Sequence, residues 1–545
     1  MNGWKICRSV ATAAALIGAT LLLAGTAGAA DICPRGVAGA DVPVPPDLYS
    51  KNGVLRVSLN YDTTVDQAGR TLFCFQTPDG LESPTLHVNP GDTIIVELTN
   101  TVPDDHARKE IVSNKTDTCG DAVMTDSSTN MHFHGVNTSP KCHSDEVIHT
   151  LVNSGETFTY RIKVPSDEPP GLYWYHPHVH GISSAAVQGG ASGAIIVEGI
   201  ENIQPIVAGL PQRLLIIRDQ PLQNPMSPRS GRAGLAPFWD VDVNYVPVPY
   251  PDYPPSVIRM TAGSREFWRV ANAGANTILD LQVVFDGKPQ PLQVVALDGV
   301  PTGSQDGKRQ GTVLTEKHIL LPPAARVEFV IAAPAGKVAD AKLVTRTIDG
   351  GPASDSNPKR PLVRMIVSKA GKKLPRLPER SRPPHAQRFE DIDHAKVTAH
   401  RHLYFWETSF APKKGPAEQG LFYIIVKGQD AQLFDPNNPP AITTTKGAVE
   451  DWTIENHTLE LHEFHIHQIH FKLLEVNGKP VPKEQQQWYD TYQVGYWDGV
   501  SKTYPSIKVR MDFRGAVAGD FVYHCHILDH EDAGMMAIIR VLPKG

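Results

Sequence analysis

The stretch VYHCHILDHEDAGMM, residues 522–536, sets Cys525 between His524 and His526, adds His530 five positions after the cysteine and reaches Met535 ten positions after it. Imidazole, thiolate and thioether are all metal ligands, and packing alone gives no reason to collect them. Ten of the 22 histidines fall in four short motifs: MHFHG (His132, His134), WYHPH (His176, His178), LHEFHIHQ (His462, His465, His467) and YHCHILDH (His524, His526, His530). Four times the spacing is H-x-H. In an extended strand residues i and i+2 share a face, so these pairs offer eight imidazoles to common faces. Cys525 then points to the opposite side from His524 and His526. His462 lies an odd number of positions from His465 and His467, so it faces away as well. His530 and Met535 follow the strand and can fold back toward Cys525.

Two sites result from this sorting. Two histidines and a cysteine with a weak axial methionine form the ligand field of a blue copper electron-transfer site. Eight imidazoles without a thiolate exceed the roughly four ligands a zinc ion takes, and they suit a cluster of several copper ions. A single H-x-H on a strand is an ordinary surface pair. Four of them, one enclosing a cysteine, are not a coincidence of composition.

Strands must position these residues, and the rest of the chain predicts an all-β protein. Forty-four glycines and 46 prolines separate short apolar runs, as in folds with frequent turns. GDTIIVELTN (91–100), SREFWRVANAG (264–274) and AVEDWTIENHT (448–458) repeat one pattern of an acidic residue, an alternating apolar stretch, then Asn and a turn. A second echo joins GLYWYHPHVHG, followed by GASGAIIVEG, to DFVYHCHILDH, followed by AGMMAIIRV. The expected organisation is three β-sandwich domains, 31–200, 201–372 and 401–545, with a charged, proline-rich linker over 373–400. The middle domain has no histidine cluster and is expected to act as a spacer.

Residues 1–30 carry Lys5 and Arg8, then an uncharged run ending in AGAA, and read as a secretory signal cleaved near Ala29 or Ala30. Its loss takes the formal charge from −6 to −8 by removing those two cations, which excludes nucleic acid as a partner. No other segment has the length and apolarity to span a membrane. Cys33, Cys74, Cys119 and Cys142 are an even set for two disulfides in an oxidising compartment. Three pairings are open, and Cys119–Cys142 is favoured as a brace for the loop around the first histidine motif. Cys525 is left over and needs a reason.

The four motifs resemble those of the multicopper oxidase family, which includes the laccases, and the match covers most of the mature chain. The resemblance implies three cupredoxin-like Greek-key β-sandwich domains and four copper ions. It assigns a type 1 copper to His462, Cys525, His530 and axial Met535. A type 2 copper goes to His132 and His465, and a type 3 pair to His134, His176, His178, His467, His524 and His526. YHPH aligns with YHCH, with Pro177 in the place of Cys525, so the cluster is expected where the first and third domains meet. The implied activity is one-electron oxidation of phenols or aromatic amines coupled to four-electron reduction of O2 to water. The alternative is oxidation of cuprous, ferrous or manganous ion, although nine methionines without a Met-rich run argue against the copper-tolerance version. Glu531 matches an acidic residue that bacterial relatives use near the cluster. Asp145, after the first motif, is a second candidate for proton relay or ligand support. Glu463 stands where the family usually has Pro and is expected at the surface rim of the blue site, while Gln468 stands where Gly is common. His143, His149, His180 and His470 are expected to be supporting or surface residues. A periplasmic or secreted monomer completes the expectation.

Overall fold

Each of the three repeated segments folds as an inner strand: Thr93–Asn100, Arg265–Asn272 and Val449–Asn456. Each pairs parallel to one neighbour and antiparallel to another. The parallel neighbours are Val54–Val65, Gln212–Pro221 and Ala399–Glu407, and the antiparallel ones are Thr157–Lys163, Arg326–Ala332 and Ser506–Asp512. The alternating residues Ile94, Val96 and Leu98, then Trp268 and Val270, then Trp452 and Ile454, anchor three separate apolar cores.

The terminal asparagine does the same work three times. Asn100 donates to the carbonyls of Ser127 and Val152, Asn272 to those of Thr277 and Leu321, and Asn456 to those of Glu460 and Val494. Each also accepts from the backbone N–H two residues on, at Val102, Gly274 and Thr458. All three are buried. Buried carbonyls at a strand end need such a partner, which is why Asn closes every copy of the repeat.

The computed structural model describes residues 31–104, 119–120, 122–223, 236–304, 310–336, 338–369, 373–378, 388–408, 420–515 and 517–545. The expected signal over 1–30 lies outside them. Of the described residues 45% are in strands and 4% in helix, and their six sheets fall in pairs along the sequence. Sheets of five and four strands use residues 47–197, sheets of eight and six use 212–368, and sheets of seven and five use 399–542. Disulfides join Cys33 to Cys74 and Cys119 to Cys142, and Cys525 is free and buried. Among the described residues no helix is long and apolar enough to cross a membrane.

The first and third sandwiches meet through two short helices that follow the second and fourth histidine motifs, Ser183–Gln188 and Leu528–Asp532. The Asp532 carboxylate accepts backbone N–H bonds from Gly181, Ser183 and Ser184. Leu528 and Asp529 bond in turn to Ala275 and Asn276 of the middle sandwich. We expect Asn272→Ala to cost at least about 2 kcal/mol by orphaning buried carbonyls. Thermal unfolding of the metal-free variant beside the parent measures it.

Candidate metal centres

In the five-stranded C-terminal sheet, His462–Ile466 runs antiparallel to Gly519–Cys525, with His465 opposite His524 and Phe464 opposite Cys525. Alternation therefore sends His465 and His524 to one face, and His462 and Cys525 to the other, where they join the apolar core. The same device works in the first sandwich, where His132 pairs with His176 across neighbouring strands. Docking of the two sandwiches brings the eight paired histidines together, each no more than 1% exposed. His132 stacks on His467 at 3.9 Å between centroids and His134 on His465 at 4.1 Å, each pair joining the first and third sandwiches.

The tautomers follow from what lies outside the cluster. His176, His465 and His524 each direct Nδ1 at a backbone carbonyl, of Pro177, Asp490 and Cys525, at 2.8–2.9 Å. His132 directs Nδ1 at both Asp145 carboxylate oxygens, 3.0 Å away. Carbonyls and carboxylates only accept, so these four imidazoles donate outward and keep a lone pair on Nε2. His132, His176 and His465 have no partner at that buried nitrogen, nor has His134 at Nδ1. The inward lone pair of His524 Nε2 lies 3.3 Å from His178 Nε2 and 3.1 Å from His467 Nε2. Donor atoms in the sets His132–His134–His176, His132–His465–His467 and His178–His467–His524 lie within 4.8 Å of one another. Burial, and after it the neighbouring imidazoles, holds His134, His178, His465 and His467 far below the usual histidine range, and burial brings His524 to about 3. Convergent, neutral, unpartnered imidazoles fit a group of copper ions.

On the opposite face, His462 Nδ1 and His530 Nδ1 stand 3.1 Å apart, with Cys525 Sγ 3.7 and 3.8 Å from them. Metal bonds of about 2.0 Å to nitrogen and about 2.3 Å to sulfur put donors on one ion at such separations. Met535 lies in the same core as Cys525 and its carbonyl accepts the Cys525 N–H. Burial, then Glu463, pushes the thiol up, and an ion bound there would hold it as thiolate. The backbone N–H of Glu463 donates to Sγ at 3.4 Å, a bond that proline could not make.

The Glu463 side chain corrects an expectation. It is not at the surface rim: strand alternation turns it to the same face as His465, across from Gln493, fully buried and without a hydrogen-bond partner on either oxygen. Burial drives this carboxyl well above its usual range. Glu531 is likewise buried with both oxygens unpartnered, pushed up by burial and then by Asp532. Asp145 also accepts from the Phe133 N–H and, at 2.7 Å, from Gln468 Nε2. Gln468 holds a left-handed φ of 65°, the conformation that makes Gly common there, and its side chain ties the third motif to the first. His470 is buried behind the cluster, donating to the Asp298 carbonyl.

Two contributors were not legible in the motifs. Asp490 approaches His134 Nε2 at 3.3 Å, while its backbone carbonyl holds His465. Its carboxylate receives both terminal nitrogens of Arg326 at 2.6 and 2.7 Å. Arg326 comes from the middle sandwich, which therefore does more than space the other two. A Cβ on Gly135, the last residue of MHFHG, would stand 2.5 Å from Arg326 Nη2 and 2.7 Å from Asp490 Oδ2, so this network explains the glycine. Asp490→Asn should strip a buried guanidinium of its counter-charge at a cost of about 3–5 kcal/mol. A lowered thermal midpoint together with reduced copper per chain would bear this out.

Two family models described as multicopper oxidase match residues 123–202 and 406–545, the segments that carry the four motifs. A rice protein, multicopper oxidase LPR1 homolog 1, is 21% identical over 76% of this chain and 75% of its own length. Cucumber L-ascorbate oxidase is 28% identical over 30% of this chain and 27% of its own. The Campylobacter jejuni multicopper oxidase structure, titled a metallo-oxidase, superposes with a TM-score of 0.64 at 21% identity, covering 94% of this chain and 96% of that one. A laccase-like oxidase from Ochrobactrum gives 0.62 at 19%, covering 92% and 100%. The two segments that carry the histidine motifs are multicopper oxidase domains on cupredoxin-like sandwiches, and the relatives that share them support an oxidoreductase with O2 as acceptor.

Proposed function

We propose that this chain oxidises phenols and aromatic amines one electron at a time beside His530 and delivers four electrons to O2 among the eight clustered histidines, releasing water. The observation that carries this reading is the position of Cys525. Its sulfur lies against His462 and His530, while His524 and His526, its chain neighbours, point into the other site. The copper ions, one of type 1, one of type 2 and two of type 3, would supply the electron storage and the O2 chemistry.

The protein's own work is positioning. His462, Cys525, His530 and Met535 would hold the electron-accepting ion, and the Glu463 N–H would tune it through the sulfur. His132 and His465 would hold the type 2 ion, oriented by Asp145 and by the Asp490 carbonyl. The other six would hold the type 3 pair, with His134 steadied by Asp490. Glu531, a buried carboxyl with free oxygens directly after His530, is the proposed proton relay, and Asp145 the support for His132. We read each pair of sheets as one domain. Two disulfides and the leader-like start of the sequence support export to the periplasm or beyond, as a monomer.

A second reading, oxidation of cuprous, ferrous or manganous ion, is favoured by one feature. Glu460 Oε1 lies 3.4 Å from His530 Nε2, the ring edge turned away from Cys525, and Glu460 shares a hydrogen bond with Glu407. Carboxylates at that edge suit a cation. O2 uptake with a methoxyphenol and with Cu(I), each with and without added Cu(II), separates the two. The first reading expects phenol turnover with no added copper, and loss of both turnover and blue colour in Cys525→Ser. The second expects phenol turnover only with added Cu(II), and in Glu407→Gln at least about a tenfold fall in kcat/KM for the metal ion.

A further inference from the structure

On the outer face of the C-terminal sandwich a second set of donors converges, and none of it belongs to the four motifs. Strand Ala399–Glu407 runs parallel to Val449–Asn456, with Tyr404 opposite Glu455. Alternation buries Leu403, Phe405 and Ile454 in the core, and turns His402, Tyr404 and Glu455 outward, with His457 just past the strand end. Glu455 Oε2 lies 3.0 Å from His402 Nε2 and 2.9 Å from His457 Nε2. The His457 ring is held in place between Tyr404, at 4.5 Å and 15°, and Tyr504, at 3.6 Å and 21°.

An ordinary ion pair would aim an N–H from each ring at the carboxylate. His457 does so. His402 Nε2 is shielded from solvent and 3.0 Å from the same oxygen, but it is poorly aligned for a hydrogen bond. Two imidazole nitrogens within 3.0 Å of one carboxylate oxygen are donor types that suit zinc or Cu(II). The three side chains are 21–31% exposed, which leaves outer positions for water. A groove open to solvent, walled by Tyr404, Trp406, Ile425 and Lys427, lies in front of Glu455 and His457.

We propose that His402, Glu455 and His457 form a separate binding site for a divalent transition-metal ion such as Zn2+ or Cu2+. It is distinct from the blue site: Phe405, whose side chain leaves the other face of the same strand, packs on His462 at 5.0 Å between ring centroids. An ion there would clip the middle of strand Ala399–Glu407 to the C-terminal end of Val449–Asn456. The inference does not depend on which donor the enzyme oxidises.

Calorimetric titration of Zn2+ into the copper-loaded enzyme tests it, beside His402→Gln and His457→Gln. The expected result is one zinc per chain beyond the resident copper, weakened at least about tenfold in each variant, with blue absorbance retained as evidence of an intact fold. No zinc uptake by the parent, or uptake of equal strength in both variants, would overturn the proposal and leave Glu455 as a carboxylate paired with two imidazoles.

Discussion

Eight imidazoles buried at one place constrain everything around them. Burial keeps such rings neutral, and neutral rings with inward lone pairs are tolerable in a protein interior only when something satisfies those nitrogens. For five of the eight rings the fold meets part of this requirement itself. Asp145, the carbonyls of Pro177, Asp490 and Cys525, and the Asp490 carboxylate occupy outer nitrogens. The inner nitrogens are left for metal. Because the rings come from two sandwiches, the docking of those sandwiches and the assembly of the cluster are one event. Asp532 at the head of the facing helix, Gln468 on Asp145 and Arg326 on Asp490 all cross domain boundaries to fix it.

The second constraint is the two-sidedness of a strand. His524 and Cys525 are consecutive, and a step of one residue is enough to place them on opposite faces of the sheet. The blue site and the cluster therefore share a backbone without sharing donors. Phe464, opposite Cys525, belongs to the core on the thiolate side, while His465, opposite His524, belongs to the cluster. A helix would not separate neighbouring donors so cleanly.

Much of this was readable before any coordinates. The H-x-H spacing, the odd offset of His462 and the three repeats ending in Asn are local patterns, and local patterns survive folding. The Cys119–Cys142 pairing followed the same logic of a brace near the first motif. What escaped were contacts made by residues far apart in the chain. Arg326 and Asp490 are 164 positions apart, and neither stands in a motif. Glu463 misled because a glutamate is normally a surface residue; the strand parity that sorted the histidines also placed it inside, and composition was the weaker guide. The Glu407–Glu460 contact beside His530 depends on how separate segments pack, which spacing does not encode.

The central claim is that two sites on opposite faces of one strand hold four copper ions between them. Anomalous diffraction at the copper edge, from crystals of the copper-loaded protein, tests it most directly. The account predicts one peak among His462, Cys525, His530 and Met535, and three peaks among the eight paired histidines. A single peak in the histidine cluster, or copper bound to Cys525 alone, would contradict it.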